Sequence, residues 1–320
     1  MRQVRLGKTD LRVSVIAFGT WAFGGEWGRF DAQEAKATIH RALDLGIDFF
    51  DTAQAYGFGV SERILGEALG PRRGEVVIAT KGGLRMQGDQ VLRDASVSWL
   101  MEGVESSLRN LSVEAIDLYQ VHWPDPNTPA AETAGALEDL VREGKIRHVG
   151  VSNYDAKQMD DLARHGRVET LQPAYHMFRR EIEAEILPYT ADHDIGVLVY
   201  GPMAHGLLTG RMSPETTFPR DDWRSESNDF SGDAFRRNLE VVERLKGFSE
   251  ERDVSLPELA VAWTLAHPAV HAAIVGARRT SQLEGTASAA EAELSPEDLE
   301  EIDRILAQAV PVTGPNPEGI

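Results

Sequence analysis

Asp51, Tyr56, Lys81 and His122 together form an acid–base set. Asp51 follows the apolar pair Phe49-Phe50, Lys81 follows Ile78-Ala79-Thr80, His122 follows Tyr119-Gln120-Val121, and Tyr56 lies in the short loop beyond Asp51. Taken singly, each has a plain structural reading: a solvated loop Asp or Lys, a satisfied His, a loop aromatic. Their conjunction is what suggests chemistry. A free phenol, with a pKa near 10, is a poor acid at neutral pH. A neighbouring ammonium favours the phenolate and eases proton donation. Asp51 would hold Lys81 in place and keep it charged, and His122 would orient a substrate carbonyl. Such a set reduces a carbonyl once a hydride is supplied. No side chain can supply one, so a nicotinamide is implied. Two other readings stay open on these residues: a lyase using Lys81 as a Schiff base, and a cofactor-sensing subunit with little turnover.

The elements that must position this set are short apolar runs alternating with amphipathic stretches. Eight runs read as strands, ending near Phe18, Phe50, Ala79, Val121, Val151, Gln172, Tyr200 and Val275. Runs this apolar suit strands covered on both faces. Helix-like segments lie at 31–45, 61–69, 95–109, 130–143, 155–165, 181–193, 257–266 and 281–290, with Asp31 and Ser61 as expected N-caps. Strict alternation predicts an α/β fold, and eight units favour a closed (β/α)8 TIM barrel over an open doubly wound sheet. Residues 3–13 predict an N-terminal hairpin. Beyond the eight units, residues 201–252 read as a long loop plus an extra helix, and 296–309 as a final helix capped by Ser295. Residues 310–320 are expected to be extended or mobile, and 1–320 to form one domain. A parallel barrel presents its functional groups at the C-terminal ends of its strands, where Asp51, Lys81 and His122 fall.

Composition narrows the function classes. The chain has 320 residues, 42% hydrophobic and 26% charged. Lys plus Arg is 33 and Asp plus Glu 51, a formal net charge of −18. An acidic surface repels phosphate backbones, so no nucleic-acid partner is expected. The absence of cysteine rules out disulfides, thiolate nucleophiles and iron–sulfur clusters. No apolar stretch resembles a signal peptide or a membrane span, so a cytoplasmic protein acting on a small molecule is expected. No metal site is expected either: His267 and His271 are separated by Pro268, which spoils a helical ligand pair, and no H-E-x-x-H occurs. Oligomeric state is not legible.

Neither G-x-G-x-x-G nor G-x-x-x-x-G-K-[ST] occurs, so a dinucleotide needs another grip. Two late segments qualify: 201–210, rich in glycine, and Gly276-Ala277-Arg278-Arg279-Thr280-Ser281-Gln282-Leu283. Arg278-Arg279 at the start of a helix would attract a ribose phosphate by charge and dipole. Trp21, Trp27, Phe58, Trp123 and Trp223 are candidates for an aromatic pocket, and Asp125 for a substrate hydroxyl.

The sequence resembles the aldo-keto reductases over essentially its whole length. The resemblance is carried by Phe50-Asp51-Thr52-Ala53-Gln54-Ala55-Tyr56-Gly57, Ala79-Thr80-Lys81-Gly82, Val121-His122-Trp123-Pro124, Gly150-Val151-Ser152-Asn153-Tyr154, Gln172-Pro173-Ala174-Tyr175 and Gly206-Leu207-Leu208-Thr209-Gly210. Gly19-Thr20-Trp21-Ala22-Phe23-Gly24-Gly25 is most similar to the bacterial general-stress and inositol-linked members. The resemblance implies a barrel closed below by the hairpin, Tyr56 as general acid, Lys81 and Asp51 as its tuning pair, and His122 as the carbonyl-orienting group. It also implies an NADP(H) site, with NADP(H) preferred over NAD(H). Ser152, Asn153 and Gln172 would hold the carboxamide and Tyr200 would stack on the nicotinamide. Gly201, Leu207, Thr209 and Gly210 would line the pyrophosphate. Gly276, Arg278, Arg279 and Gln282 would meet the adenosine and its 2′-phosphate. Gly19, Thr20 and Trp21 would complete the cofactor wall, with Trp21 and Trp123 also facing substrate. The chain departs from the family pattern at His176, where Asn is frequent, at Gly276-Ala277 in place of Lys-Ser, and at Gly285-Thr286 in place of Glu-Asn.

Overall fold

Each strand-like run has a side chain pointing inward at every second position, and this alternation builds the core. In the computed structural model, which describes residues 1–25, 27–88 and 90–317, a hairpin comes first: β1 (Gln3–Arg5) antiparallel to β2 (Arg12–Ser14). Eight strands then close into a parallel barrel: β3 (Ile16–Gly19), β4 (Phe49–Asp51), β5 (Val77–Gly82), β8 (Ile116–Val121), β9 (Ile146–Ser152), β10 (Thr170–Gln172), β11 (Gly196–Tyr200) and β12 (Ala272–Gly276). The expected (β/α)8 barrel is therefore the observed fold. Leu6, Leu11 and Val13 of the hairpin pack against Ala17, Phe49, Ala79, Leu118, Leu198, Ala272 and Ile274, the inward residues of six strands. The hairpin thus plugs the bottom of the barrel with apolar side chains.

The helices cover the outside: α1 (Ala32–Asp44), α2 (Val60–Leu69), α3 (Val97–Leu111), α4 (Ala130–Arg142), α5 (Ala156–Ala163), α6 (Ile186–Asp192), α7 (Gly232–Glu250), α8 (Leu256–Ala266), α9 (Thr280–Ala287) and α10 (Pro296–Leu306). Asp31 caps α1 through the amides of Gln33 and Glu34, as expected from its place before the periodic segment. Ser61 is not a cap. It lies inside α2, and its hydroxyl bonds to Thr20 and Thr52, tying α2 to the loops after β3 and β4. A second hairpin, β6 (Leu84–Gln87) with β7 (Gln90–Arg93), follows β5 and was not expected from the sequence. None of the described helices is long and apolar enough to cross a membrane.

The described part of the C-terminal tail, 310–317, is extended and held down. The amide of Val310 donates to Asn238, Val312 donates to the Phe178 carbonyl, and Asp229 accepts from the Thr313 and Gly314 amides. Arg179 donates to the Thr313 carbonyl. Residues 318–320, part of the stretch expected to be extended or mobile, lie outside the described residues.

At the barrel bottom His148 of β9 bridges Glu169 (2.9 Å) and Asp10 of the hairpin turn (2.7 Å). The hydrogen bond to Glu169, above all, raises its pKa. A value raised in the folded state stabilises the fold fully below the unfolded value and loses that contribution as pH rises through the folded one. The stability gap between the native protein and His148→Gln, measured by urea unfolding, should therefore shrink from about pH 5.5 to about pH 8.5. A gap constant across that range would show that His148 is not the linked group.

Candidate active site

The register of the barrel brings the four chemistry-bearing residues together. Asp51 is level with Gly19 on one side and Ala79 on the other, and Lys81 with Gln120 of β8. His122, just past β8, is fixed by its amide donating to the Gly82 carbonyl (2.9 Å). The loop after β4 then folds back, its turn secured by Gln54 N–H to Lys81 O (2.9 Å), and sets Tyr56 above the strand ends. Lys81 is wholly buried, and its ammonium donates to Asp51 Oδ1 (2.6 Å), the Thr52 carbonyl (2.9 Å) and Tyr56 Oη (3.3 Å). Asp51 Oδ2 accepts from Gln172 Nε2 (2.8 Å), so both carboxylate oxygens are engaged. The Tyr56 and His122 rings meet edge to face at 5.7 Å, and Trp21 stacks on Tyr56 at 6.1 Å.

Electrostatics follow from this burial. Desolvation lowers the Lys81 pKa, and the neighbouring Asp51 carboxylate opposes the shift. Desolvation raises Asp51, opposed by Lys81 and then Gln172. His122 is held well below the ordinary histidine range, first by burial and then by the Lys81 charge. Its ring is therefore neutral at physiological pH, and Nδ1 is buried with no hydrogen-bond partner among the described residues.

Asp51, Tyr56 and His122 face one end of a cleft of about 930 Å³ that runs across the barrel mouth. Lys81 lies just beneath its floor. Ser152, Asn153, Gln172 and Tyr200 line the same end, already joined to one another and to their neighbours. Ser152 Oγ donates to Gln172 O (2.8 Å), Asn153 Nδ2 to His122 O (3.1 Å), and Tyr200 Oη to Asn153 Oδ1 (2.9 Å). Gly19, Trp21, Gly201, Thr209, Gly210, Gly276, Arg278 and Gln282 continue the lining, with Trp123 at the outer rim.

Three residues expected at the cofactor wall are placed elsewhere. Thr20 is buried, holding the Asp51 carbonyl through its amide (2.9 Å) and hydroxyl (3.1 Å). The Leu207 side chain is packed in the core. Arg279 does not line the cleft. Its side chain is 70% exposed and pairs with Glu34 of α1 at 3.7 Å, whereas Arg278 reaches across the cleft to the Trp27 carbonyl (3.0 Å). Two substrate-side expectations also change. The Asp125 carboxylate does not face the cleft, because it caps Ala95 N–H (3.0 Å), Asn127 N–H and the Thr128 hydroxyl. Trp223 packs behind the wall, edge to face against Trp27 and His205.

The lining also includes residues that the sequence did not single out. Arg211 follows the glycine-rich loop and Lys246 projects from α7, and among the described residues neither they nor Arg278 is in an ion pair. Three unpaired cations in one cleft of a chain with net charge −18 mark a place for anionic groups. At Gly276 an added Cβ would meet only Gly19 O at 3.8 Å, and at Gly285 it would meet nothing within 4 Å. Backbone with no Cβ in the way and cations along the wall fit an elongated, phosphate-bearing ligand.

Comparison with known proteins agrees with this geometry. The model of the aldo/keto reductase family matches residues 15–307. Aldo-keto reductase YhdN of Bacillus subtilis is 41% identical over 314 residues, covering 97% of this chain and 95% of the relative. The NADH-specific methylglyoxal reductase of Escherichia coli is 34% identical over 316 residues, covering 93% and 96%. The structure of the glycerol dehydrogenase AKR11B4 from Gluconobacter oxydans superposes with a TM-score of 0.90 at 41% identity, covering 98% of each chain.

Proposed function

The chain belongs to the aldo/keto reductase family, and from that membership we propose that it reduces an aldehyde or ketone with NADPH, Tyr56 delivering the proton. The observation that carries the reading is the contact chain Asp51–Lys81–Tyr56 (2.6 and 3.3 Å), which opens beside His122 into a cleft lined by Arg211, Lys246 and Arg278, none of them in an ion pair among the described residues. A nicotinamide bound there supplies the hydride. The protein's part is proton delivery and orientation. The neutral His122 ring offers one N–H to the substrate oxygen, holding the carbonyl carbon toward the cofactor end. Tyr56 passes its proton to that oxygen, and the Lys81 ammonium stabilises the phenolate left behind. Asp51 keeps Lys81 aimed, and Gln172 keeps Asp51 aimed. In the reverse direction the same groups take the proton from an alcohol.

Ser152, Asn153 and Gln172 would hold the carboxamide, Tyr200 would stack on the nicotinamide ring, and Gly201, Thr209 and Gly210 would line the pyrophosphate, with Arg211 and Lys246 as countercharges; all of them line the cleft. A cytoplasmic, freely diffusing enzyme fits the acidic surface. The intact contact chain favours turnover over a sensing role.

NADPH is preferred because Arg278 stands at the adenosine end, where a guanidinium bonds phosphate oxygens at roughly 1.5–3 kcal/mol per charge-assisted bond. Glu250 lines the same end and works against the phosphate, so the preference is a balance of the two. NADPH should bind about tenfold more tightly than NADH or better. Arg278→Ala should remove most of that margin while sparing NADH. Arg279→Ala should remove less, because that side chain is turned to Glu34. Fluorescence titration of both cofactors decides it: equal dissociation constants in the native protein would refute the preference.

A further inference from the structure

The substrate end of the cleft is apolar to its rim. Among the described residues only three large hydrophobic side chains are strongly exposed, and two of them, Phe58 (39%) and Met86 (45%), stand on this one opening. Phe58 comes from the β4–α2 loop, where its backbone takes a left-handed φ of 45°, uncommon for an aromatic residue. Met86 comes from the β6–β7 hairpin, whose Leu84 and Val91 also face the cleft. Trp21 and Trp123 join these two elements to the Tyr56–His122 point. Exposed apolar groups gathered at the mouth of one site mark the surface that a ligand covers.

Among the described residues, the polar groups that could recognise a second hydroxyl are bonded within their own loops or belong to the side of the cleft read as the cofactor's. Asp125 caps three groups of its own loop and of the segment before α3. Both ends of the Asn153 amide are bonded, Nδ2 to His122 O and Ser152 Oγ, Oδ1 to Tyr200. Gln172 is held by Asp51. Arg93 lies over Trp123 (5.0 Å) and donates to the Pro124 carbonyl (3.3 Å). A substrate hydroxyl carried past Tyr56 would lose its water here and find, among the described residues, no free carboxylate or amide to replace it.

We propose that Phe58 and Met86, with Trp21 and Trp123, select carbonyl compounds whose carbonyl is borne on an alkyl or aryl body, against small polyhydroxylated ones. This rests on the carbonyl-reductase reading above and names its substrate class.

The test is the aldehyde series propanal, hexanal, octanal and glyceraldehyde with NADPH, each rate referred to the unhydrated aldehyde. Every methylene buried along the funnel should raise kcat/KM about three- to fourfold until the chain passes the rim. Glyceraldehyde should fall about tenfold or more below propanal, which has the same three-carbon length. The double variant Phe58→Asn, Met86→Gln should flatten the rise from propanal to octanal. Asparagine tolerates the left-handed backbone at 58, so a folding defect is not expected. A flat series in the native protein, or glyceraldehyde outpacing propanal, overturns the substrate class while leaving the reductase reading intact. Failure of every aldehyde with both NADPH and NADH overturns the reductase reading, and this inference with it.

Discussion

Tyr56→Phe should lower kcat at least about 100-fold, the usual range for loss of a positioned general acid. The hydroxyl oxygen is the only heavy atom removed. The ring keeps its stacking on Trp21 and its edge contact with His122, so the cleft retains its shape. NADPH affinity should be unchanged within about twofold, since the phenol stands at the reacting end, away from Arg278, Arg211 and Lys246. A loss confined to kcat is the mark of an interaction made in the transition state. Near-normal turnover by the variant would remove Tyr56 from the proton path.

Lys81→Met should be more severe, because it acts on both catalysis and stability. It removes the positive charge beside Tyr56 and leaves the Asp51 carboxylate buried with Gln172 as its remaining side-chain donor. Breaking a wholly buried pair from one side costs roughly 3–5 kcal/mol. Turnover should fall to near background and the urea midpoint should drop. Adding Asp51→Asn removes the stranded charge, so the double variant should regain much of the stability and none of the activity. A folded, active Lys81→Met protein would contradict the role given to the pair. Recovery of activity in the double variant would place the chemistry elsewhere.

The strand ends were legible in the sequence because a parallel barrel turns chain order into geometry. Asp51, Lys81 and His122 each close an apolar run, and the closed sheet puts the ends of all runs around one opening. Residues whose partners are remote in sequence were harder to read. Ser61 stands where a cap would stand, yet Thr20 and Thr52 claim its hydroxyl. The Arg278-Arg279 pair reads as two equivalent cations, and only Glu34, brought alongside by α1, separates their directions. Asp125 looked available to substrate until the amide of Ala95 came within 3.0 Å of it. The β6–β7 hairpin did leave a signal: Leu84 and Met86 alternate with Arg85 and Gln87 ahead of Gly88-Asp89, a recognised hairpin dipeptide. That run is half polar, a weaker strand signal than the apolar runs that build the barrel. Lys246 had no such signal, because nothing in α7 distinguishes a cleft-lining lysine from a solvated one.

The most direct test of carbonyl reduction by hydride transfer is isotopic. NADPH dideuterated at the nicotinamide C4 would be incubated with hexanal and the native protein, and the alcohol analysed by mass spectrometry, with Tyr56→Phe run in parallel. The expected result is one deuterium on the carbinol carbon for each NADPH consumed, and little product of any kind from Tyr56→Phe. Alcohol without deuterium, or no NADPH consumption beyond buffer while borohydride traps substrate on Lys81, would contradict hydride transfer and favour a Schiff-base enzyme instead.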